Sequence, residues 1–303
     1  MSRILGIGEL LWDMLPDGPR LGGAPANYSV MAARLGNEAA LLSRVGDDAL
    51  GEKALGVLRA FPVNQNLVQI DPEQPTGQVT VKIEEGQPSY TIHQPAAWDF
   101  FELSERWLAE AAEVDAVCFG SLAQRSEHSQ RTIQALLRAT KMDCLRIFDV
   151  NLRAPFFTAE ILRESLHRAT VVKMNDAEVP QVLELLGLPK VASLREGAES
   201  LLEQFGDLGG LDMVAITRGG EGSLLVSGFD RHEHPGIPTR VADTIGAGDA
   251  FTAAMTHYLL RGAPLAVVNE AGNRWGSFIA SQAGAMPEIT AETMERIRRE
   301  IEG

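Results

Sequence analysis

The chain has 303 residues, enough to bury a large core, and its formal net charge of -14 argues against an electrostatic grip on nucleic acid or on an anionic membrane, since both require a basic face. Its two cysteines, Cys118 and Cys144, each sit in an apolar run, so buried reduced thiols and a cytoplasmic setting are expected rather than a disulfide. Met1 to Gly6 passes straight into a strand pattern and no run of about 18 apolar residues follows, so neither an export signal nor a membrane span is expected.

Ile4 to Ile7 reads as a first strand that releases Gly8-Glu9-Leu10-Leu11-Trp12-Asp13 at its carboxyl end, where open α/β sheets hold ligands. Gly6-x-Gly8 is followed by Leu11 where a dinucleotide loop needs a third glycine, so a Rossmann cofactor site is unsupported. Asp13 is a candidate for binding a ligand hydroxyl, or a turn residue beside Pro16-Asp17-Gly18-Pro19. Gly22 and Gly23 permit close approach to a ligand, and Pro25 suits a first helical turn. Asn27 offers a donor and an acceptor to a polyol, or else caps the turn. After a strand from Leu41 to Val45, Asp47 and Asp48 read as capping carboxylates of a helix reaching Ala60. From Thr76 to His93 the pattern alternates on either side of Glu85-Gly86, which predicts a β-hairpin, and Pro95 to Asp99 leads back to the main body.

Helical and strand patterns then alternate: Glu102–Ala112, Ala116–Phe119, Ser129–Ala139, Leu145–Phe148, Ile161–Ala169 and Val171–Met174. That is the rhythm of parallel βαβ units, and it predicts a doubly wound, mostly parallel α/β sheet. The second of its polar strand ends, Asp149-Val150-Asn151-Leu152-Arg153, carries a guanidinium able to fork two phosphate oxygens, or to pair with Asp149. Asn175 and Glu178 stand three residues apart, spacing that suits water-mediated binding of a hard cation and equally a capping box. Met213 to Val226 reads as strand, glycine turn and strand; His232 and His234 beyond it read as a solvated edge, lacking a third metal ligand. Asp243-Thr244-Ile245-Gly246-Ala247-Gly248-Asp249 then opens a helix whose apolar periodicity runs from Ala250 to Leu260. Its glycines and first-turn amides suit an anion, and Asp249 is placed to take a proton nearby; the plainer reading is an ordinary loop-to-helix turn. Leu265 to Ala280 is a last amphipathic helix.

Gly22-Gly23-Ala24-Pro25-Ala26-Asn27 and Asp243 to Asp249, in this order and spacing, resemble the two motifs of the ribokinase-like (PfkB) carbohydrate kinases. The likeness extends over nearly the whole chain. It implies one ribokinase-like domain over 1–303, with a small β lid inserted around 12–20 and 76–97. It implies ATP-dependent phosphorylation of a sugar hydroxyl, with Asp249 as general base and the Gly246, Ala247 and Gly248 amides as an anion hole. Asp13, Gly22, Gly23, Asn27, Asn151 and Arg153 would face the sugar and the transferring phosphate. Thr217, Gly219, Gly222 and Asn273 would line the nucleotide, although Asn273 also reads as a surface amide and Arg218 departs from the small residue many relatives carry. Asn175 and Glu178 would serve Mg2+ through water, and Asp243 with the Ile245 carbonyl would serve a monovalent cation such as K+.

Gly8-Glu9-x-x-x-Asp13, Phe119-Gly120-Ser121-Leu122-Ala123-Gln124-Arg125 and Asp149-x-Asn151-x-Arg153 resemble bacterial fructokinases in particular, which implies fructose as acceptor. 2-Keto-3-deoxygluconate, ribose and nucleosides stand as alternatives, and a non-catalytic sugar or nucleotide sensor is the reading from another class. Relatives sometimes pair lids in a homodimer, whereas Lys82, Glu84 and Glu85 would blunt such an edge.

Overall fold

A computed structural model of the chain describes residues 1–16, 18–84 and 87–303. Eight strands form the main sheet, in the spatial order Arg231–His234, Ser223–Ser227, Met213–Thr217, Val171–Asn175, Leu145–Asp149, Ala116–Gly120, Arg3–Ile7 and Glu38–Leu42. The last six in that order run parallel; Ser223–Ser227 turns back antiparallel after the short glycine turn at Gly219–Glu221, and Arg231–His234 pairs antiparallel with Ser223–Ser227. The parallel strands are apolar on both faces because both faces are covered. Leu5, Ile7, Val117, Phe119, Phe148 and Ile216 enter one core, while Ile4, Ala116, Cys118, Ile147 and Ala215 enter the other. The first core is closed by helices between Glu105 and Gly209, the second chiefly by Ala24–Arg34, Ala247–Leu259 and Leu265–Ala280. The fold is the doubly wound, mostly parallel α/β arrangement expected from the βαβ rhythm.

A second sheet has four strands, in the order Gly18–Gly22, Leu11–Leu15, Gly77–Glu84 and Gln87–Ile92. Leu11–Leu15 and Gly77–Glu84 pair in parallel, so the sheet joins two stretches far apart in sequence. The turn expected at Glu85-Gly86 lies outside the described residues. Where the chain leaves this sheet, Trp98 is fully buried, and the Arg125 guanidinium stacks 3.8 Å above it. Arg125 also holds both Asp99 oxygens at 2.7 and 2.8 Å and the His93 carbonyl at 2.9 Å. The strand-end arginine seen in the sequence thus anchors this return segment. Asp48, but not the exposed Asp47, caps Ala49–Leu58: one carboxylate oxygen accepts from the Gly51 amide at 2.7 Å and the other from the Thr76 amide at 2.8 Å. Both cysteines are buried and free. Among the described residues no helix is long and apolar enough to cross a membrane.

Candidate active site

Two helix starts meet above the carboxyl ends of the central strands. At the first, Gly23 has a φ of +111°, and a Cβ there would stand 2.3 Å from the Glu9 carbonyl oxygen, so the chain passes itself too closely for any side chain. Pro25 occupies the first turn of Ala24–Arg34, and one turn on Asn27 is buried. At the second, Gly246 takes a φ of +79° as N-cap of Ala247–Leu259, pressed against Ala285 at a would-be Cβ distance of 2.5 Å. The Ala247 amide reaches the Thr244 carbonyl at 3.3 Å, whereas Gly248 and Asp249 belong to the first turn, where no preceding helical carbonyl is available to their amides. Asn27 Nδ2 donates to Asp249 Oδ2 at 2.7 Å, across 222 residues of sequence. The plain cap expected for Asn27 is therefore not its use, and Asp249 faces the cleft beside Gly23.

The Asp249 carboxyl is pushed up to about 6, first by burial and then by the Asp149 charge, against the pull of Asn27, Lys173 and Arg153. Glu9, from the loop after the first strand, is pushed up to about 7, chiefly by burial with Asp249 adding to it. These groups converge on a cavity lined in part by Glu9, Tyr28, Cys118, Asp149, Asn151 and Asp249.

Asp149 does not pair with Arg153. Its oxygens lie 3.1 and 3.2 Å from Lys173 Nζ, and the Thr252 hydroxyl, shared with the Gly248 carbonyl, stands 3.0 Å from Oδ2. Burial works against the Lys173 charge, but Asp149, Asp249 and Glu178 outweigh it and hold its pKa above the usual lysine value. A Cβ on Gly248 would come within 3.0 Å of Lys173 Nζ, which puts a fixed cation beside the glycine cradle. Lys173 was missed in the sequence reading, although a lone lysine inside Val171-Val172-Lys173-Met174 is a signal, since an ammonium in an apolar strand needs a buried partner. Glu9, equally isolated before Leu10-Leu11-Trp12, was missed too. Arg153 is exposed, its guanidinium donating, among the described residues, only to the Leu152 carbonyl at 3.1 Å, and Asn151 holds a φ of +40° at the same loop.

Asn175 and Glu178 form the reciprocal box: Asn175 Oδ1 accepts from the Glu178 amide at 2.9 Å, and Glu178 Oε2 from the Asn175 amide at 2.8 Å. Glu178 Oε1 also accepts from the Leu152 amide at 2.7 Å, tying the Asn151–Arg153 loop to this helix start. Each Glu178 oxygen accepts from one amide and keeps a lone pair beyond it, so acceptor capacity remains after the box has formed. Among the described residues no cluster of three or more His, Cys, Asp or Glu side chains suits a metal. Asp243 accepts from the Ile245 amide at 3.0 Å and the Gly284 amide at 3.1 Å, with the Arg20 guanidinium 3.5 Å away. Asp243 therefore ties its own loop to the segment at Gly284.

Asp13 lies within the strand Leu11–Leu15 rather than in a turn, and a Cβ on Gly22 would meet its Oδ2 at 2.6 Å. Burial lifts its carboxyl to about 6, with Arg153 opposing and Asp243 adding. Thr217 ends its strand beside the Gly219 turn. Gly222 has an intramolecular reason to be glycine, since a Cβ there would overlap the His234 carbonyl at 2.0 Å. Asn273 is no surface amide: it is buried, with Nδ2 donating to Ser223 Oγ at 2.6 Å and the Asn269 carbonyl at 2.8 Å. His234 is not a solvated edge residue either. Its Nδ1 accepts from the Gly236 amide at 2.9 Å, which leaves Nε2–H to bond Glu270 at 2.7 Å. His232 Nδ1 takes the Asn269 amide at 3.1 Å.

A carboxylate set on one glycine-opened helix start, held by the side-chain amide of a second, places a proton acceptor beside first-turn backbone amides that suit an anion. The profile described as pfkB family carbohydrate kinase matches residues 19–292, and the chain belongs to that family. An uncharacterized sugar kinase of Pyrococcus horikoshii is 30% identical over 86% of this chain and 83% of its own. Its crystal structure in complex with ATP superposes with a TM-score of 0.83 over 98% of this chain and 99% of that one, at 28% identity. A fructokinase of Vibrio alginolyticus is 28% identical over 97% of both chains. A 2-dehydro-3-deoxygalactonokinase of Haloferax volcanii is 29% identical over 92% of this chain and 88% of its own.

Proposed function

We propose that this carbohydrate kinase transfers the γ-phosphoryl group of ATP to fructose, giving fructose 6-phosphate, with Asp249 as the general base. The observation that carries the reading is the 2.7 Å bond from Asn27 to Asp249, which sets the base beside the Gly22–Gly23 turn where an acceptor alcohol would lie. Asp13 and Asn27 would hold acceptor hydroxyls, leaving one facing Asp249. As that hydroxyl attacks the γ-phosphorus, its proton passes to Asp249, and the bond from the γ-phosphorus to the bridging oxygen of ADP breaks. The Gly246, Ala247 and Gly248 amides, Lys173 and Arg153 would meet the negative charge on the transferring group. Thr217 and Gly219 would lie along the nucleotide. Mg2+, held through water near Asn175 and Glu178, would neutralise nucleotide phosphate charge when bound, and K+ near Asp243 and Ile245 would steady the adjoining loops. The four-stranded sheet would act as a lid, excluding the water that Asp249 would otherwise activate against ATP.

Asp249 works only when ionised. Its raised pKa therefore gives an expected acid limb in kcat/KM centred near pH 6, with activity lost about tenfold per unit below it. Initial rates between pH 5 and 8 in a constant-ionic-strength buffer check this; a flat profile removes Asp249 as the titrating base.

A second reading has a specific support: the exposed Arg153 guanidinium at the cleft mouth would suit the carboxylate of a keto sugar acid, the substrate class of the Haloferax relative. ADP release measured with fructose, 2-keto-3-deoxygluconate, 2-keto-3-deoxygalactonate, ribose and adenosine separates these readings. Fructose is expected to give the highest kcat/KM. A sugar acid in first place would transfer the assignment to it, and no turnover with any acceptor would favour the sensor.

A further inference from the structure

Glu9 is a carboxyl at this site that the reaction above does not require, yet its position is built. It is 4% exposed, on the loop directly after the first strand, and it lines the same cavity as Asp249 and Asn151. Oε1 accepts from the Ala24 amide at 3.3 Å, the first residue of the helix that presents Asn27. Oε2 is buried and has no hydrogen-bond partner among the described residues. An unsatisfied buried carboxyl oxygen costs about 1–3 kcal/mol, so a fold that keeps one on a cavity-lining residue gains from a partner that reaches it.

We propose that Glu9 is a direct contact of the sugar acceptor, its Oε2 hydroxyl donating a hydrogen bond to an acceptor oxygen while Asp249 takes the proton of the reacting hydroxyl. The inference rests on the kinase reading. Two neighbouring carboxyls with different proton affinities divide the tasks, the lower as base and the higher as donor. Burial, with the Asp249 charge adding to it, raises the proton affinity of Glu9 against the pull of its own amide, the Ala24 amide and Arg153; Cys118 and Tyr28 bring no cation, and the Lys173 ammonium beside Asp149 is held by that carboxylate. Burial sets the balance near pH 7, so the donor is present below that pH and lost above it.

The experiment compares Glu9→Gln and Glu9→Ala with the unchanged enzyme, reading sugar KM, ATP KM and kcat separately across pH 6 to 9. Glu9→Gln keeps both a donor and the acceptor that meets the Ala24 amide. Its sugar KM is expected within about threefold of the parent at pH 6.5 and flat to pH 9, while that of the parent rises above pH 7. Glu9→Ala is expected to raise sugar KM about tenfold or more with ATP KM unchanged. Equal rises in both KM values for Glu9→Ala, or parallel pH profiles for the parent and Glu9→Gln, would show that Glu9 only braces the helix start. If Glu9→Ala does not fold, the Gln comparison decides alone. Absence of sugar-dependent ADP release by the unchanged enzyme overturns the kinase reading and this inference with it.

Discussion

Asp249→Asn is expected to lower turnover about 10²- to 10⁴-fold while leaving ATP affinity within about twofold. Asparagine matches the shape of aspartate and still offers an oxygen to Asn27 Nδ2, which now stands 2.7 Å from Oδ2, so the two helix starts stay joined. Only the capacity to accept a proton disappears. The glycine-cradle amides belong to the backbone and are untouched. Steady-state ADP release with the preferred sugar, together with calorimetric titration of ATP, distinguishes lost chemistry from lost binding. Near-normal turnover would require another base, and Glu9, the other raised carboxyl lining the cavity, would be the first to test.

The largest expected effect on stability comes from Lys173→Met. Lys173 and Asp149 have side chains only 9% and 6% exposed, and Nζ lies 3.1 Å from Oδ1. Methionine fills the aliphatic space but strands the carboxylate, with the Thr252 hydroxyl as its remaining side-chain donor. Removing one member of a buried pair costs about 3–5 kcal/mol, because the other charge is left without compensation. Urea unfolding of the single variant and of Lys173→Met with Asp149→Asn checks this, the double variant being expected to recover a good part of the loss. A single-variant loss below about 1 kcal/mol would mean that Asp149 is not held as an anion by Lys173.

Local patterns were legible where their physics is local. The amphipathic repeat of Leu265–Ala280 marked both ends of that helix correctly, and the polar ends of Ala116–Gly120 and Leu145–Asp149 fell where strands give way to loops. The box between Asn175 and Glu178 was legible for the same reason, since its partners are three residues apart. Arg125 was noticed at a strand end, but its use as a clamp on Asp99 and Trp98 could not be read, because those partners come from the segment leaving the other sheet. The sequence reads His234 as a solvated edge and leaves a surface amide as one of two readings of Asn273, because polarity alone says nothing of cover. Helix Leu265–Ala280 carries Asn273 itself, and its Asn269 carbonyl and Glu270 carboxylate, with Ser223 from the facing strand, satisfy the two side chains.

The amino-acid order on its own determined the layered α/β scheme, the two glycine-opened helix starts and the identity of the acid at the second of them, since periodicity, backbone permissiveness and dipole direction all act within a few residues. Tertiary structure decided which charges meet: Asn27 with Asp249, Lys173 with Asp149, and the unpartnered oxygen of Glu9 in their midst. Proton affinity in such a cluster depends on burial and on neighbours brought from distant strands, and those exist only once the sheet has closed around them.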